Sequence, residues 1–208
     1  SEHWKFNREK LVHTFTQSVR HMSVISVPIC FGVWALADKI VIAFYGADFF
    51  NSILPLQILI FVLFAIFVDF PVGSLLNACD RQTTKTAIMI ATMVINVGLN
   101  AILVPRFFTV GAAIAGLCSF SFMVIAGLYY GKKYIGFSLR PIFSCFIRTF
   151  LSGLAMAAVI LVLKEQLHFI LLVPIGAVVY FLTLYIIRGW GRDDVNEITK
   201  LLFNKNNA

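Results

Sequence analysis

Six long apolar stretches constrain the fold of this chain more than any other feature of its sequence. Each approaches the about 20 residues that a helix needs to cross the hydrocarbon core of a bilayer. The stretches are residues 22–44, 53–76, 87–104, 110–130, 142–163 and 167–187. Only 13% of the residues are charged, whereas soluble domains carry about 25%. The sequence therefore predicts an all-α membrane protein with six transmembrane helices.

The basic residues are distributed unevenly between alternate loops. Of the 17 Lys and Arg residues, fourteen fall in the N-terminal stretch, the second loop, the fourth loop and the tail, whereas the other loops hold Lys39, Arg106 and Lys164. The positive-inside rule then places both termini in the cytoplasm. This topology accounts for the net charge of +7. Because the charges are dispersed and not gathered in one patch, we expect no nucleic-acid partner.

The spans divide the chain into three predicted regions. Residues 1–21 are charged and have no apolar core or cleavage site, so we expect a cytoplasmic interfacial helix that leads into the first span and continues a longer protein. Residues 22–188 form the six-span domain. Residues 189–208 carry an N-cap signal and an apolar stripe, which predict a cytoplasmic amphipathic tail.

The cysteines and histidines show no spacing that is typical of catalysis or metal binding. The four cysteines are widely separated, and the four histidines lie near the ends of segments, without CxxC or HExxH motifs. We therefore predict no metal, no cofactor and no enzymatic activity.

Asp69 is the most conspicuous polar residue inside a predicted span. A charged Asp at the centre of a bilayer costs about 2.5–3.5 kcal/mol, so we expect it to face a cavity or a partner. Pro71 follows two residues later and permits a bend. The alternative is that Asp69 lies near enough to the cytoplasmic end to meet water or to pair with Arg148.

Asn96 and Asn100 lie four residues apart in the third span and so share one helical face with Thr92. Amides on such a face either bond to a neighbouring helix or contact a substrate. Both interpretations remain open from the sequence.

Two further predictions concern Arg148 and the small residues of the fourth span. Arg148 enters the fifth span, where a long side chain can reach the cytoplasmic headgroups; contact with an anionic headgroup or a lipid-linked phosphate is the sharper alternative. The small residues predict close helix packing. They are Gly111, Ala115, Gly116, Gly127 and Gly131.

The ordered motifs "FYGADFFNS", "GSLLNACDRQTTK" and "VINVGLNAILVPRFFTVGAAIAG" give the chain a familiar pattern. Over residues 20–190 it resembles the C-terminal half of the polysaccharide transporter family of lipid-linked oligosaccharide flippases, within the multidrug/oligosaccharidyl-lipid/polysaccharide exporter superfamily. The matching pieces are Tyr45-Gly46, Ala78 to Lys85, Asn96 to Pro105, and Gly111 to Ala115. The chain departs from the family pattern after Pro105. The family often has an aromatic-Gly-small turn there, and this chain has Phe107-Phe108-Thr109.

The resemblance implies a transporter of two six-span lobes around a cavity that opens alternately to either side. This chain would supply the last four helices of the second lobe and two additional C-terminal helices. The complete protein would move an undecaprenyl-pyrophosphate-linked oligosaccharide, such as an O-antigen repeat, across the bacterial inner membrane. Its implied partners are that lipid-linked oligosaccharide, membrane lipids and the polysaccharide polymerase machinery. Asp69, Asn96 and Asn100 would line or brace the groove.

Two other functions fit the same features. A multidrug or cation antiporter of the same superfamily needs the same architecture and would use Asp69 as a cation site. A non-transporting membrane scaffold subunit would need only the small-residue packing surface. A glycan polymerase fits least, because no large loop carries paired carboxylates or an arginine cluster.

Overall fold

The protein is all-helical in the part that its computed structural model describes, residues 2–167 and 169–187. Five α-helices occur there, with a short 3-10 helix at Ala47–Ser52 between the first two. The helices are α1 (Glu2–Tyr45), α2 (Ile53–Ala78), α3 (Gln82–Ile135), α4 (Arg140–Leu163) and α5 (Phe169–Ile186). The all-α prediction is therefore confirmed for these residues. The predicted amphipathic tail, residues 189–208, lies outside them.

Several of these helices are long and apolar enough to cross a bilayer. Four described stretches meet that requirement, and α5 adds a shorter apolar helix from Ile170 to Ile186. The four are Arg8–Tyr45, Ala47–Ala78, Gln82–Ile135 and Arg140–Leu163. The chain is thus a multi-pass membrane protein. The count of six spans and the cytoplasmic position of both termini stay predictions.

Helix α3 accounts for the difference between the predicted count and the helices observed. Its 54 residues would extend about 80 Å if straight, well beyond a hydrocarbon core of about 30 Å. The backbone leaves helical geometry at Phe108, with φ 50° and ψ −128°. A Cβ atom on Gly111 would lie 2.4 Å from the carbonyl oxygen of Leu103, although eight residues of straight helix span about 12 Å. Helix α3 therefore folds back on itself as two arms, residues 82–107 and 109–135.

The turn between the two arms has an unusual residue at its strained position. A positive φ is uncommon outside glycine and is a marked outlier for a bulky side chain. Such geometry costs on the order of 1–3 kcal/mol. The Phe108 ring is also 75% exposed, so burial against the described chain does not offset that cost. The departure from the family pattern after Pro105 thus coincides with a backbone geometry that glycine would adopt more easily.

Helix α1 organises the rest of the bundle. It runs without interruption across the predicted boundary at residue 21 and packs against α2, α4 and α5. Its first half joins a buried cluster with α2, the second arm of α3 and the start of α4, around Val19, Val72 and Leu128. The second half of α1 forms another buried cluster with α4 and α5, around Val27 and Tyr180. The hydroxyl of Tyr180 donates to the carbonyl of Val24 over 3.1 Å.

Three glycines of the second arm of α3, Gly116, Gly127 and Gly131, face α2. A Cβ atom added to Gly127 would lie 2.6 Å from the Cγ1 of Val72, and one added to Gly131 would lie 3.4 Å from Leu75. One on Gly116 would make ordinary contact with Leu59 at 3.6 Å. Ala115, on the same arm, is fully buried. The arm and α2 therefore approach closely because these positions carry little or no side chain.

The close turn of α3 gives a first prediction. Gly111→Ala should lower the free energy of unfolding by about 1–3 kcal/mol, because its methyl group would meet the Leu103 backbone, which cannot yield without opening the turn. Gly98→Ala in the first arm is the matched control. Nothing lies within 4 Å of a Cβ atom there, so the helix should gain about 0.5–1 kcal/mol. Thermal unfolding of the purified variants measures both. Equal midpoints would show that the arms are not tightly joined.

Candidate functional site

The asparagines of the first arm of α3 lie at the seam with the second arm. The Asn96 side chain donates from Nδ2 to the Oγ of Ser119 over 3.1 Å. The Asn100 amide donates to the Asn96 side-chain oxygen over 3.0 Å and to the Asn96 carbonyl over 2.8 Å. Ser119 is fully buried and donates in turn to the carbonyl of Ala115. One turn before Asn96, the buried hydroxyl of Thr92 donates to the Ile88 carbonyl over 2.8 Å. The amides are thus bonded within the hairpin; we call Thr92, Asn96, Asn100 and Ser119 the polar seam.

Asp69 lies next to a lysine from the start of α3. The Nζ of Lys85 is 2.6 Å from both carboxylate oxygens, and the two side chains are only 15% and 16% exposed. The stem of Lys85 passes over Gly73, where an added Cβ atom would be 3.4 Å from its Cε. A glycine one turn after Asp69 therefore leaves room for the lysine. Two charges that are costly alone in an apolar environment become a hydrogen-bonded pair.

Arg148 lies on α4 and is exposed. The described contacts give Asp69 a lysine partner, Lys85; the alternative pairing with Arg148 stays a prediction. The sequence predicts that Asp69 has a counter-ion, because a charge in an apolar span is costly when it is alone. The identity of the partner depended on how the α2–α3 turn folds, and the sequence does not specify that.

A cavity beside the turn between α2 and α3 has a basic lining. Its volume is about 410 Å³, and Arg8, Asp80, Arg81 and Tyr134 line it. The Arg81 guanidinium lies 4.6 Å from the centre of the Tyr134 ring, and the Arg8 Nε donates to the carbonyl of Ile135 over 2.7 Å. The contact of Arg8 joins the start of α1 to the end of α3. We call this the basic cavity.

Sequence reasoning missed the basic cavity because its members are far apart in the chain. Arg81 belongs to the turn motif that the resemblance singled out, but Arg8 lies 127 residues from its partner Ile135. No local pattern joins them. Within the turn, burial raises the pKa of the Cys79 thiol, with the nearby Asp80 carboxylate as a second cause. The thiol is therefore mostly protonated and unreactive at neutral pH.

The described residues thus form a multi-pass helical membrane protein in which Asp69, Asn96 and Asn100 have hydrogen-bonded partners. No three metal-ligating side chains come together among them. Comparisons with known proteins narrow the class of membrane protein.

Residues 5–102 match the model of the MatE family. The chain is also similar to the probable low-salt glycan biosynthesis flippase Agl15 of Haloferax volcanii, with 24% identity over 136 residues. That alignment covers 65% of this chain and 29% of the relative, so this chain spans only part of the length of the protein that it matches. No solved structure matches. Both similarities indicate a transporter and not an enzyme.

The Asp69–Lys85 pair gives a second prediction. Lys85→Met should lower the free energy of unfolding by about 1–3 kcal/mol, because it leaves a carboxylate that is mostly shielded from water without its counter-ion. Asp69→Asn combined with Lys85→Met removes both charges and should recover most of that loss. Thermal unfolding of both proteins tests this. Lys10→Met, at an exposed position of α1, is the control and should change little. A double variant as unstable as the single one would contradict the pairing.

The polar seam gives a third prediction, tested by a double-mutant cycle. Asn96→Ala and Ser119→Ala should each destabilise the protein, and their coupling energy should be about 0.6–2 kcal/mol, the range for hydrogen bonds between membrane helices. Thr86→Ala with Ser119→Ala is the control cycle. Thr86 bonds only within its own turn, to Gln82, so its coupling to Ser119 should be near zero. Equal coupling in both cycles would contradict a specific bond across the seam.

Proposed function

We propose that this chain is part of a flippase that moves an undecaprenyl-pyrophosphate-linked oligosaccharide, such as an O-antigen repeat, across the bacterial inner membrane. The observation that carries this proposal is the similarity to a probable glycan biosynthesis flippase over 136 residues. The MatE match over residues 5–102 supports the broader class of transporter. The proposed direction is from the cytoplasmic to the outer leaflet.

The proposed topology has six passages and both termini in the cytoplasm. Its support is the fold-back of α3, which gives that helix two arms that are each longer than the about 20 residues needed to span. The unequal distribution of Lys and Arg supports the orientation. Two of the three basic residues assigned to the outer side are also paired: Lys164 with Asp38 at 2.9 Å, and Lys39 with Glu165 at 3.8 Å.

The proposed mechanism is alternating access around a polar groove. A hydrophilic glycan must pass a hydrocarbon layer of about 30 Å while its lipid tail stays in the bilayer. We propose that the polar seam braces a hairpin beside that groove and that the amides exchange hydrogen bonds with sugar hydroxyls as the lobes rock. Arg148, exposed on α4, would contact anionic headgroups or the lipid-linked phosphate.

The antiporter alternative has the same family support, because the MatE match fits it equally. It would use Asp69 as a cation site. The ammonium of Lys85 already neutralises that carboxylate at 2.6 Å, and a bound cation would have to displace it. This contact argues against Asp69 as an open cation site.

Deletion of the full-length gene gives the fourth prediction. Lipid-linked oligosaccharide should accumulate on the cytoplasmic side and surface polysaccharide should be lost, because the charged pyrophosphate and the sugars cannot cross hydrocarbon unaided. The measurement combines quantification of surface glycan with the accessibility of the lipid-linked precursor from each side. Re-expression of the wild type should restore both.

The complementing variants test the polar residues. Alanine at both Asn96 and Asn100 should reduce surface glycan severalfold at an equal protein level, and normal glycan would contradict their role. As a carboxylate within a predicted span, Asp69 would alternatively carry a coupling proton or cation of the flippase. Asp69→Asn tests that role: translocation that still depends on the ion gradient would exclude this carboxylate as the coupling group. Unchanged glycan on deletion would refute the flippase. Drug sensitivity would then support the antiporter, whereas assembly defects alone would support a scaffold.

A further inference from the structure

A second cavity lies at the end of the molecule opposite the basic cavity. It has a volume of about 650 Å³ and is formed where the 3-10 helix enters α2 and where the arms of α3 turn. Three aromatic and three polar side chains contribute to its lining. They are Phe50, Phe107 and Phe108, with Asn51, Gln57 and Thr109. We call this the aromatic cavity.

The phenylalanine rings of the aromatic cavity are largely exposed. Phe50 is 64% exposed, Phe107 is 52% exposed and Phe108 is 75% exposed. Membrane interfaces favour Trp and Tyr, whose polar tips bond to headgroups and water, and Phe has no such tip. Small-molecule sites combine apolar and aromatic walls with a few polar groups that fix orientation. The lining of the aromatic cavity has that composition.

Phe108 adds an independent argument, because its backbone suits a different residue. With φ 50° and ψ −128°, it has the geometry of the first central residue of a type II′ turn, where glycine is preferred. A glycine would form this turn without strain, and the exposed ring contributes little packing to the described chain. Strained residues persist where function requires them. The ring at this position therefore points to a contact made by the cavity and not by the fold.

The polar groups indicate what the contact is. The Gln57 amide donates from Nε2 to the carbonyl of Trp34 over 3.1 Å, which fixes the amide and leaves its oxygen as an acceptor. Asn51 is exposed and offers both a donor and an acceptor. A pyranose ring has apolar C–H faces and hydroxyls around its edge, so it matches open aromatic rings beside amides. A hydrocarbon tail would pack well against the rings. It would also exclude water from the amides without replacing the hydrogen bonds that they make to water.

We propose that the aromatic cavity binds a sugar ring of the transported glycan, with the Phe108 ring against one sugar face and Asn51 and Gln57 bonded to its hydroxyls. The proposal rests on the proposed function for the identity of the glycan and on the proposed topology for its position at the outer side. It gives the exit side of the translocation path a contact for sugar, whereas the basic cavity lies at the cytoplasmic side.

The test is direct binding to the full-length protein by saturation-transfer NMR. Maltohexaose serves as the probe, because the pyranose face is the group recognised, and sorbitol is the control ligand, because it has hydroxyls but no ring. Phosphatidylcholine nanodiscs replace sugar-headed detergents, which would compete. The wild type should transfer magnetisation to the ring C–H protons of maltohexaose and not to sorbitol. Phe108→Ala and Phe108→Gly should each reduce the transfer at least fivefold.

Two comparisons distinguish a direct effect of the Phe108 ring on binding from an effect on folding. Phe108→Gly relieves the strained turn and should raise the midpoint of thermal unfolding by about 2–4 °C, so that loss of binding by a more stable protein cannot be a folding defect. Phe44→Ala removes a ring that is 74% exposed at the same end but does not line the aromatic cavity. It should keep the wild-type transfer.

The possible results distinguish failure of this site from failure of the proposed function. No transfer with the wild type, equal transfer to sorbitol, or full transfer with both Phe108 variants would overturn the sugar contact. Those results leave the deletion experiment unaffected. Conversely, normal surface glycan in the deletion strain would refute the flippase, and selective binding of maltohexaose through Phe108 would then show a sugar site in a protein of another function.

Discussion

The absence of water in the hydrocarbon layer is the constraint on which this structure depends. Every polar group carried into that layer must find a partner within the protein, since an unpaired one costs several kcal/mol (on the order of 2–7). The polar seam and the Asp69–Lys85 pair are two solutions. In the seam, amides and hydroxyls bond to each other and to backbone carbonyls. In the pair, a lysine from the next helix neutralises a carboxylate.

The fold-back of α3 follows from the same constraint acting on the backbone. A hairpin of two arms brings the Nδ2 of Asn96 within 3.1 Å of the Oγ of Ser119 only if the turn is tight and the arms are close. Gly111 allows the close approach to Leu103, and Gly127 allows the second arm to contact α2 at Val72. Small residues and amides therefore act together. The former bring the backbones near, and the latter form the bonds that the short distance permits.

The sequence predicts those features that depend on local periodicity. Apolar length indicates membrane helices, and a spacing of four places Asn96 and Asn100 on one face. Tertiary partners are harder to predict. The sequence shows that Asp69 needs a partner, but it offers both Lys85 and Arg148 as candidates, and only the path of the α2–α3 turn brings Lys85 to Asp69. The contact of Arg8 with Ile135 has no local signal. The strain at Phe108 is visible only in the backbone.

These internal bonds also constrain any transport cycle in which this chain takes part. Opening the polar seam or the charged pair within the bilayer without new partners would leave polar groups unsatisfied, so the closed arrangement of each is favoured. The arms of α3 and their contact with α2 should then move as one body. Alternating access in the proposed flippase would have to use interfaces that carry no such bonds, and rocking of intact bundles about a fixed site meets that requirement. An exchange of a seam bond for a bond to a sugar hydroxyl keeps the amide paired, and so it also meets that requirement. The exposed Asn51 of the aromatic cavity offers a further contact.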